Sequence, residues 1–365
     1  MKKYGIFIFY MILLLLCFTL ALAGCAKNKP EKIVENELNL IQELDESAIK
    51  AFISYEDMMN SNSAKTEVDA ETTKAIKLFF KDFHYRLISC SATGRTATVN
   101  VEITNLDAKA LAKDLCKELI KQSITGSQTK ITPPATNSYF ALLSDILSTH
   151  QYELVTTTAH FELVKTDHIW SIQSTATLED ELVGGFITYL NDSYLIKPEE
   201  VTALVLEMFQ SQTPAQWVSY LEMNDVFSTG SSIYKEVDLA LASQIAEHFH
   251  YTVKSVTQED STATATLELT SLDMESVLTD YLDKLMQYAA TTEAIRTTDA
   301  QLADKTAALL IDSLKANKKS VQKTVSIHFL NNGITWEMQL GNQFTDVFLG
   351  NLQSAIDTFQ AKSGD

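Results

Sequence analysis

Two stretches of the chain alternate strictly between apolar and polar residues. They occupy residues 96–104 and 262–270. Side chains of a β-strand point alternately to opposite faces, so this period of two predicts strands with one face in a core and one against water or a polar surface. The apolar positions are Ala97, Val99, Val101 and Ile103 in the first stretch, and Ala263, Ala265, Leu267 and Leu269 in the second.

Further strand-like segments flank each alternating stretch. A segment at 84–92, and another at 250–258, precedes it and is joined to it by a short polar turn, which is typical of a β-hairpin. A second hairpin is predicted at 157–173 and again at 323–340. The pattern therefore predicts about four antiparallel strands, and predicts them twice.

Helical periodicity follows each first hairpin, with apolar residues recurring every three or four positions. Further helices are predicted at 136–149 and 299–316. The end of each half is predicted as one helix with a single apolar face. That face comprises Leu178, Leu182, Phe186 and Leu190 in the first half, and Phe344, Val347, Phe348, Leu352, Ile356 and Phe359 in the second. Blocks of helices and hairpins indicate the α+β class.

The two sets of elements are copies of one sequence. Phe83-His84-Tyr85 returns as Phe249-His250-Tyr251, at an offset of 166 residues. At that offset, residues 83–107 and 249–273 share 11 identities in 25 positions. The period is far longer than that of a solenoid repeat and has the length of a whole domain.

The same offset places Trp170 on Trp336, so the duplication extends through the second hairpin. We predict two tandem copies of one domain, each an antiparallel sheet of about four strands packed by helices. The first copy is expected to span residues 31–196 and the second residues 197–365. Pro198 suits the first turn of a new helix at the start of the second copy.

The chain begins with features of an export signal. Lys2 and Lys3 precede a stretch at residues 6–23 that is apolar apart from Thr19. A basic start followed by an apolar core and small residues is typical of a signal peptide. A retained membrane-spanning helix is the alternative, but such an anchor needs no small residues and cysteine at its outer end.

Residues 22–25, Leu-Ala-Gly-Cys, resemble the bacterial lipobox. The resemblance implies that residues 1–24 are removed and that Cys25 carries the lipid and becomes the new N-terminus. Residues 25–30 form a short polar linker, so we expect the folded part to lie close to the bilayer. A lipid, and no protein span, would hold it there.

Charge and cysteine usage narrow the classes of partner. The net charge is −18 at pH 7, and loss of the signal removes two more lysines. Such a chain is repelled by nucleic acid and by anionic headgroups, so we expect no nucleic acid partner.

Cys90 and Cys116 align with Val256 and Leu282 in the second copy. That alignment favours buried thiols, although an exported pair can also form a disulfide.

The order of helices and antiparallel hairpins resembles the cystatin-like and nuclear-transport-factor-two-like superfamily. The lipobox followed by a duplicated domain resembles uncharacterised Firmicute lipoproteins built from such modules. The resemblance implies a curved sheet packed by helices in each copy. The superfamily includes enzymes, small-ligand binders and structural domains, so the resemblance does not select a function.

Catalytic and metal-binding signatures are missing from the sequence. It contains no HExxH, GxSxG, Walker or GxGxxG motif, and its histidines and cysteines are not spaced as metal ligands. We therefore expect no catalytic residues, no metal and no cofactor.

Three repeated residue types are candidates for ligand binding. His84 and His250 could act as general bases, and Tyr85 and Tyr251 could hold a ligand. Trp170 and Trp336 could line a pocket with the broad apolar face of an indole. The structural alternatives are a helix-to-strand junction for the His-Tyr pairs and a core position for the tryptophans. An outward polar row could be solvated surface or a covered polar floor. This row comprises Thr98, Glu102 and Thr104, with Thr264, Glu268 and Thr270 in the second copy.

These observations favour a lipid-anchored, non-catalytic binding or interaction protein on the outer face of a Gram-positive-type cytoplasmic membrane. Its partners would be the membrane, through the lipid, and a protein or small ligand at the cell surface. One alternative is a small-molecule binder or hydrolase with a cone-shaped pocket in each copy. Another is a transporter-associated substrate-binding lipoprotein, which normally needs two α/β lobes with parallel sheets. A closed core around the two tryptophans favours the first function, and an open cavity beside His84 or His250 favours the pocket.

Overall fold

A computed structural model describes residues 29–43, 70–125, 136–220 and 232–363. The predicted signal peptide, Cys25 and most of the predicted linker lie outside the described residues. The chain forms two compact units whose main break lies between Leu195 and Ile196, and a short segment from Lys121 is grouped with the second unit.

The described part of the first unit contains six helices and four strands. They are α1 (Pro30–Gln42), α2 (Ala70–Phe79), β1 (His84–Thr93), β2 (Thr96–Leu106), α3 (Ala108–Thr125), α4 (Thr136–Thr149), β3 (Leu154–Thr166), β4 (Ile169–Ile172), α5 (Ala176–Leu182) and α6 (Phe186–Leu190).

The described part of the second unit repeats this order with a few additions. Its elements are α7 (Pro198–Ser211), α8 (Pro214–Tyr220), α9 (Ser232–His248), β5 (His250–Glu259), β6 (Thr262–Leu272), α10 (Met274–Ala289), a 3-10 turn (Ala294–Arg296), α11 (Asp299–Ala316), β7 (Ser320–Asn331), β8 (Trp336–Gln339), α12 (Asn342–Phe348) and α13 (Leu352–Ser363).

Each unit contains one four-stranded antiparallel sheet in chain order, β1-β2-β3-β4 and β5-β6-β7-β8. The predicted α+β class, with two tandem sheets of four strands packed by helices, is therefore confirmed. The registers also repeat at the offset of 166 residues: His84 lies opposite Thr104, and His250 opposite Thr270. Both first hairpins have an irregularity at the same place, after Leu87 and after Val253.

One face of each sheet forms the core of its unit. The inward residues of β2 and β6 are the alternating apolar residues of the sequence pattern, and all are at most 5% exposed. Helix α1 packs on β1, β2 and β4, and α7 packs on β5, β6 and β8 in the same way. The helix face that covers the first sheet comprises Val34, Leu38 and Ile41.

The prediction of a single final helix in each half is wrong. Helices α12 and α13 are separated at Gly350 and Asn351, which have φ of +80° and +59°. A Cβ at Gly350 would lie 2.4 Å from the Leu272 carbonyl oxygen, so the chain passes too close to β6 for a side chain. Gly184 and Gly185 separate α5 and α6 in the first unit, also at positive φ. The apolar periodicity of the sequence continues through the break and therefore predicted one helix. Tertiary packing divides that helix into two.

The fourth strand of each sheet is short. Strand β3 pairs with β2 over residues 154–164, but β4 pairs only with residues 163–166 of β3. Likewise, β8 pairs only with residues 328–331 of β7. The first half of each third strand therefore lies at an edge of its sheet.

Candidate functional site

The repeated histidines lie at the start of β1 and β5, beside the end of the first helix of each unit. Their side chains are exposed. His84 Nδ1 is 3.3 Å from the side-chain amide of Gln42, the last residue of α1. His250 Nδ1 is 3.1 Å from the side-chain amide of Gln210 in α7. The same hydrogen bond thus fastens the first helix to the first strand in both units.

The adjacent tyrosines lie near the same helices, and Tyr85 bonds directly to α1. Tyr85 Oη donates to Asn39 Oδ1 at 2.7 Å. Burial raises the pKa of Tyr85, and the carboxylate of Glu35 raises it further. In the second unit, burial and the carboxylate of Glu207 raise the pKa of Tyr251. The His-Tyr pairs therefore bind structure of their own chain, as expected for a helix-to-strand junction.

Both repeated tryptophans lie in the cores. Trp170 is 6% exposed and Trp336 is 2% exposed. Lys165 Nζ lies 5.3 Å from the centroid of the Trp170 ring, a cation–π contact on the neighbouring strand. The tryptophans are therefore closed into packed interiors.

The sheet register separates the candidate residues of each unit. His84 lies opposite Thr104, whereas Trp170 lies opposite Lys165, whose N–H donates to Arg95 O. These positions on β2 are about nine residues apart, which corresponds to about 30 Å along a strand. The structure brings His84 together with Tyr85 and α1, but it does not bring either residue together with Trp170. The second unit has the same separation.

Sequence reasoning missed the glutamines that complete these junctions. Gln42 and Gln210 are 168 residues apart, whereas the strands repeat at 166, so an alignment at the strand offset does not pair them. At offset 168, α1 and α7 share four of 13 residues: proline and glutamate at the start, one leucine and the final glutamine. Aligning the two Pro-Glu pairs would have paired the two glutamines, but only the structure shows that they contact the histidines.

The outward faces of the sheets are polar and cross-linked by side chains. Glu102 forms an ion pair with Arg86. Glu268 accepts from Gln322 at 2.6 Å and pairs with Lys254 at 3.0 Å. These outward residues are exposed or half-buried, as solvated surface requires.

The edge of the first sheet carries unpaired backbone groups. Backbone groups of a strand alternate between its two sides, and Lys165 N–H donates toward β2, so odd-numbered residues of β3 face β2. Leu154, Thr156 and Thr158 face the other side, are exposed, and have no backbone partner there among the described residues. The edge is then closed at His160, whose N–H donates to Glu181 Oε2 at 2.7 Å.

The edge of the second sheet is open over a longer stretch. Asn331 N–H donates to Ser261 O on the β6 side, so the even-numbered residues of β7 face away from the sheet. Four such residues precede the β8 pairing, and all are exposed. Val347 occupies the position of Glu181, and among the described residues no carboxylate accepts from an N–H of this edge. The four residues are Ser320, Gln322, Thr324 and Ser326.

Other chemistry is sparse in the part of the chain that the structure describes. No group of three metal-ligating side chains is found there. None of the helices in the described ranges is long and apolar enough to cross a bilayer. Cys90 and Cys116 are free, half-buried thiols, and burial raises the pKa of both.

Comparison with known proteins provides little guidance. No family model matches the chain, and no curated protein matches it. A crystal structure of YcdA, described as a lipoprotein of Bacillus subtilis, is similar over 74% of this chain and 94% of its own, with 10% identity and a TM-score of 0.27. A similarity this weak supports no conclusion about the fold or function of this chain.

Proposed function

We propose that this protein is a lipid-anchored, non-catalytic interaction protein on the outer face of the cytoplasmic membrane. The observation that carries the proposal is that both units bury their repeated tryptophan while leaving the edge of the third strand open. His84 and Tyr85 bond to side chains of α1, and His250 bonds to a side chain of α7, which supports a packing role for these residues. These contacts and the buried tryptophans favour a structural role over a pocket.

The sequence supports the anchor, and the sheet edges support interaction. The resemblance of the Leu-Ala-Gly-Cys segment to a lipobox supports acylation of Cys25, five residues before Pro30 at the start of α1. An open strand edge offers backbone donors and acceptors to a partner. Two antiparallel sheets do not supply the parallel-sheet lobes usual in transporter receptors, which weighs against that alternative.

A single experiment in cells tests both parts of the proposal. Cells would express the wild type, Cys25→Ser and, as the matched control, Cys17→Ser. We expect the wild type and the Cys17 variant to incorporate labelled palmitate and to remain in the membrane fraction. We expect the Cys25 variant to incorporate no label. Label in the Cys25 variant would contradict the anchor.

Cross-linking in the same cells, with a photo-reactive amino acid in the protein, tests the interaction with a partner. It would replace Thr158 or Thr324 at the strand edges, with exposed Gln360 of α13 as the control position. We expect cross-linked protein from an edge position and none from the control. Equal cross-linking at all three positions, or none at either edge, would contradict an interaction through the edges.

A further inference from the structure

A cluster of lysines lies at the start of β7 in this acidic protein. Lys315, Lys318, Lys319 and Lys323 fall within nine residues, in a chain of net charge −18. Lys318 pairs with Glu247 at 3.2 Å. The other three are exposed and have no ion pair among the described residues. Their charge is therefore available to a partner.

The lysines adjoin the open edge in a regular arrangement. Lys319 immediately precedes β7. Lys319 and Lys323 both occupy odd-numbered positions, so their side chains lie on the same face of the sheet as the buried residues of β7. They are four positions apart in extended chain, which is about 13 Å. Between and beyond them, the even-numbered residues direct N–H and C=O groups away from the sheet.

Resting on the proposed function, we infer that the open edge of β7 binds an extended acidic segment of a partner protein as an added β-strand. Backbone groups of the segment would pair with residues 320–326. Acidic side chains four residues apart would lie beside Lys319 and Lys323. The backbone provides affinity and the lysines provide selectivity.

The alternating edge favours a polypeptide over a phosphate polymer. A peptide backbone offers both donors and acceptors, which the edge requires, whereas phosphodiesters offer acceptors alone.

Antiparallel pairing of two β7 edges from two copies, centred on Lys323, would place the two Lys323 side chains opposite each other. Like charges directly opposite are destabilising, so the edge also disfavours self-pairing in that register.

Lysines on an edge strand can also serve only to prevent aggregation. The first unit, however, has no lysines at these two positions of its edge. Glu153 and Thr157 occupy the positions of Lys319 and Lys323. Glu181 instead accepts from the edge N–H of His160. The two explanations give opposite expectations for a lysine substitution, and the experiment separates them.

The binding experiment uses the mature acylated chain in nanodiscs of zwitterionic lipid. The probe is a labelled peptide of about ten residues, or about 33 Å when extended, with alternating Thr and Val. Two Glu residues four positions apart replace residues on one face. One control peptide places the two Glu residues on opposite faces, and another carries N-methyl groups on alternate backbone amides. We expect anisotropy to rise with the probe and far less with either control.

Matched variants locate the site on the protein. Thr324→Pro removes an N–H that faces away from β6, where proline is tolerated on an edge, so we expect folding to persist and binding to be lost. Thr158→Pro at the same position of the first unit should leave binding unchanged. Lys319→Glu with Lys323→Thr installs the residues of the first unit and should weaken binding about tenfold.

A transplant provides the converse test. Glu153→Lys, Thr157→Lys and Glu181→Val give the first unit the residues of the second. We expect the number of peptide molecules bound per chain to rise from one to two.

Several outcomes would overturn the inference. Sedimentation that shows a dimer lost in Thr324→Pro would identify a second copy as the occupant. Displacement by polyphosphate with no sensitivity to Thr324→Pro would identify a polyanion site. Aggregation of the lysine variant with unchanged peptide binding would make the lysines protective only. Failure of peptide binding while Cys25 is still acylated and edge cross-links still form would reject this partner chemistry and leave the proposed function standing.

Discussion

The two units share one strand topology but carry different residues at some equivalent positions. Both have the same strand order, register, hairpin irregularity and Gln-His junction. They differ at the third-strand edge, where Glu181 accepts from the His160 N–H of β3 and Val347 occupies the equivalent position in the second unit. They differ again in the first helix, where Glu37 of α1 occupies the position of Val205 in α7. The shared features specify the fold, and the differences mark where the units have diverged in use.

The largest expected effect is at the glycine that divides the last helices. Gly350→Ala forces a Cβ against the Leu272 carbonyl oxygen at a φ of +80°, so we expect a loss of about 4 kcal/mol in unfolding free energy. The matched Gly184→Ala meets only Ala108 Cβ, at 3.4 Å, and should cost about 1 kcal/mol. Calorimetry of both variants measures the difference. Equal losses would mean that the close approach is not specific to the second unit.

A smaller effect is expected from the buried carboxyl of the first helix. Glu37 is 7% exposed, and burial raises its pKa to about 7. Its folded pKa lies above its unfolded value, so the contribution of protonated Glu37 to the stability of the first unit should be fully present below about pH 4.5. That contribution should fall by about 3 kcal/mol as pH rises to 7.

The charged groups on elements packed against α1 do not compensate Glu37. Tyr85 and His84 of β1 bond to Asn39 and Gln42, and no described ion pair reaches the Glu37 carboxylate. Glu37→Val should therefore remove the pH dependence, and Val205→Glu should create it in the second unit. Thermal unfolding from pH 4 to 8 measures both, and an unchanged slope in Glu37→Val would assign the dependence to other groups.

The smallest effect concerns the tyrosines. Tyr85→Phe removes the hydrogen bond to Asn39 and should cost about 1 kcal/mol. Tyr251→Phe should cost less, because Glu207 acts on Tyr251 through charge and no hydrogen bond of its hydroxyl to a described residue is formed. Chemical denaturation of the two variants compares them. A larger loss for Tyr251→Phe would reverse this assignment.

Much of the fold was predictable because local patterns carried it. The alternation at residues 96–104 places one set of side chains in a core whatever the neighbours are, and the repeat doubled that signal. The sequence could not predict the break at Gly350, because the break is imposed by contact with Leu272 in a distant strand. Nor could it predict the partner of His84, since the helices repeat at a different offset from the strands.

For the candidate residues too, the sequence predicted local features and the structure decided which residues meet. The sequence identified His84, Tyr85 and Trp170 as repeated, and the structure places them at opposite ends of one sheet. Repetition alone does not distinguish residues that meet from residues that pack separately. It also gave no sign of the open edge, because a strand edge is defined by a missing neighbour.

The sequence by itself determined the duplication and the alternating strands, and it predicts the export signal, because each depends on residues close together along the chain or on direct comparison of two segments. Only the tertiary structure decided which side chains the helices cover, where β4 and β8 stop, and whether a carboxylate closes the exposed edge. Those features depend on residues brought together from distant segments, and their energies arise from burial and hydrogen bonding in three dimensions.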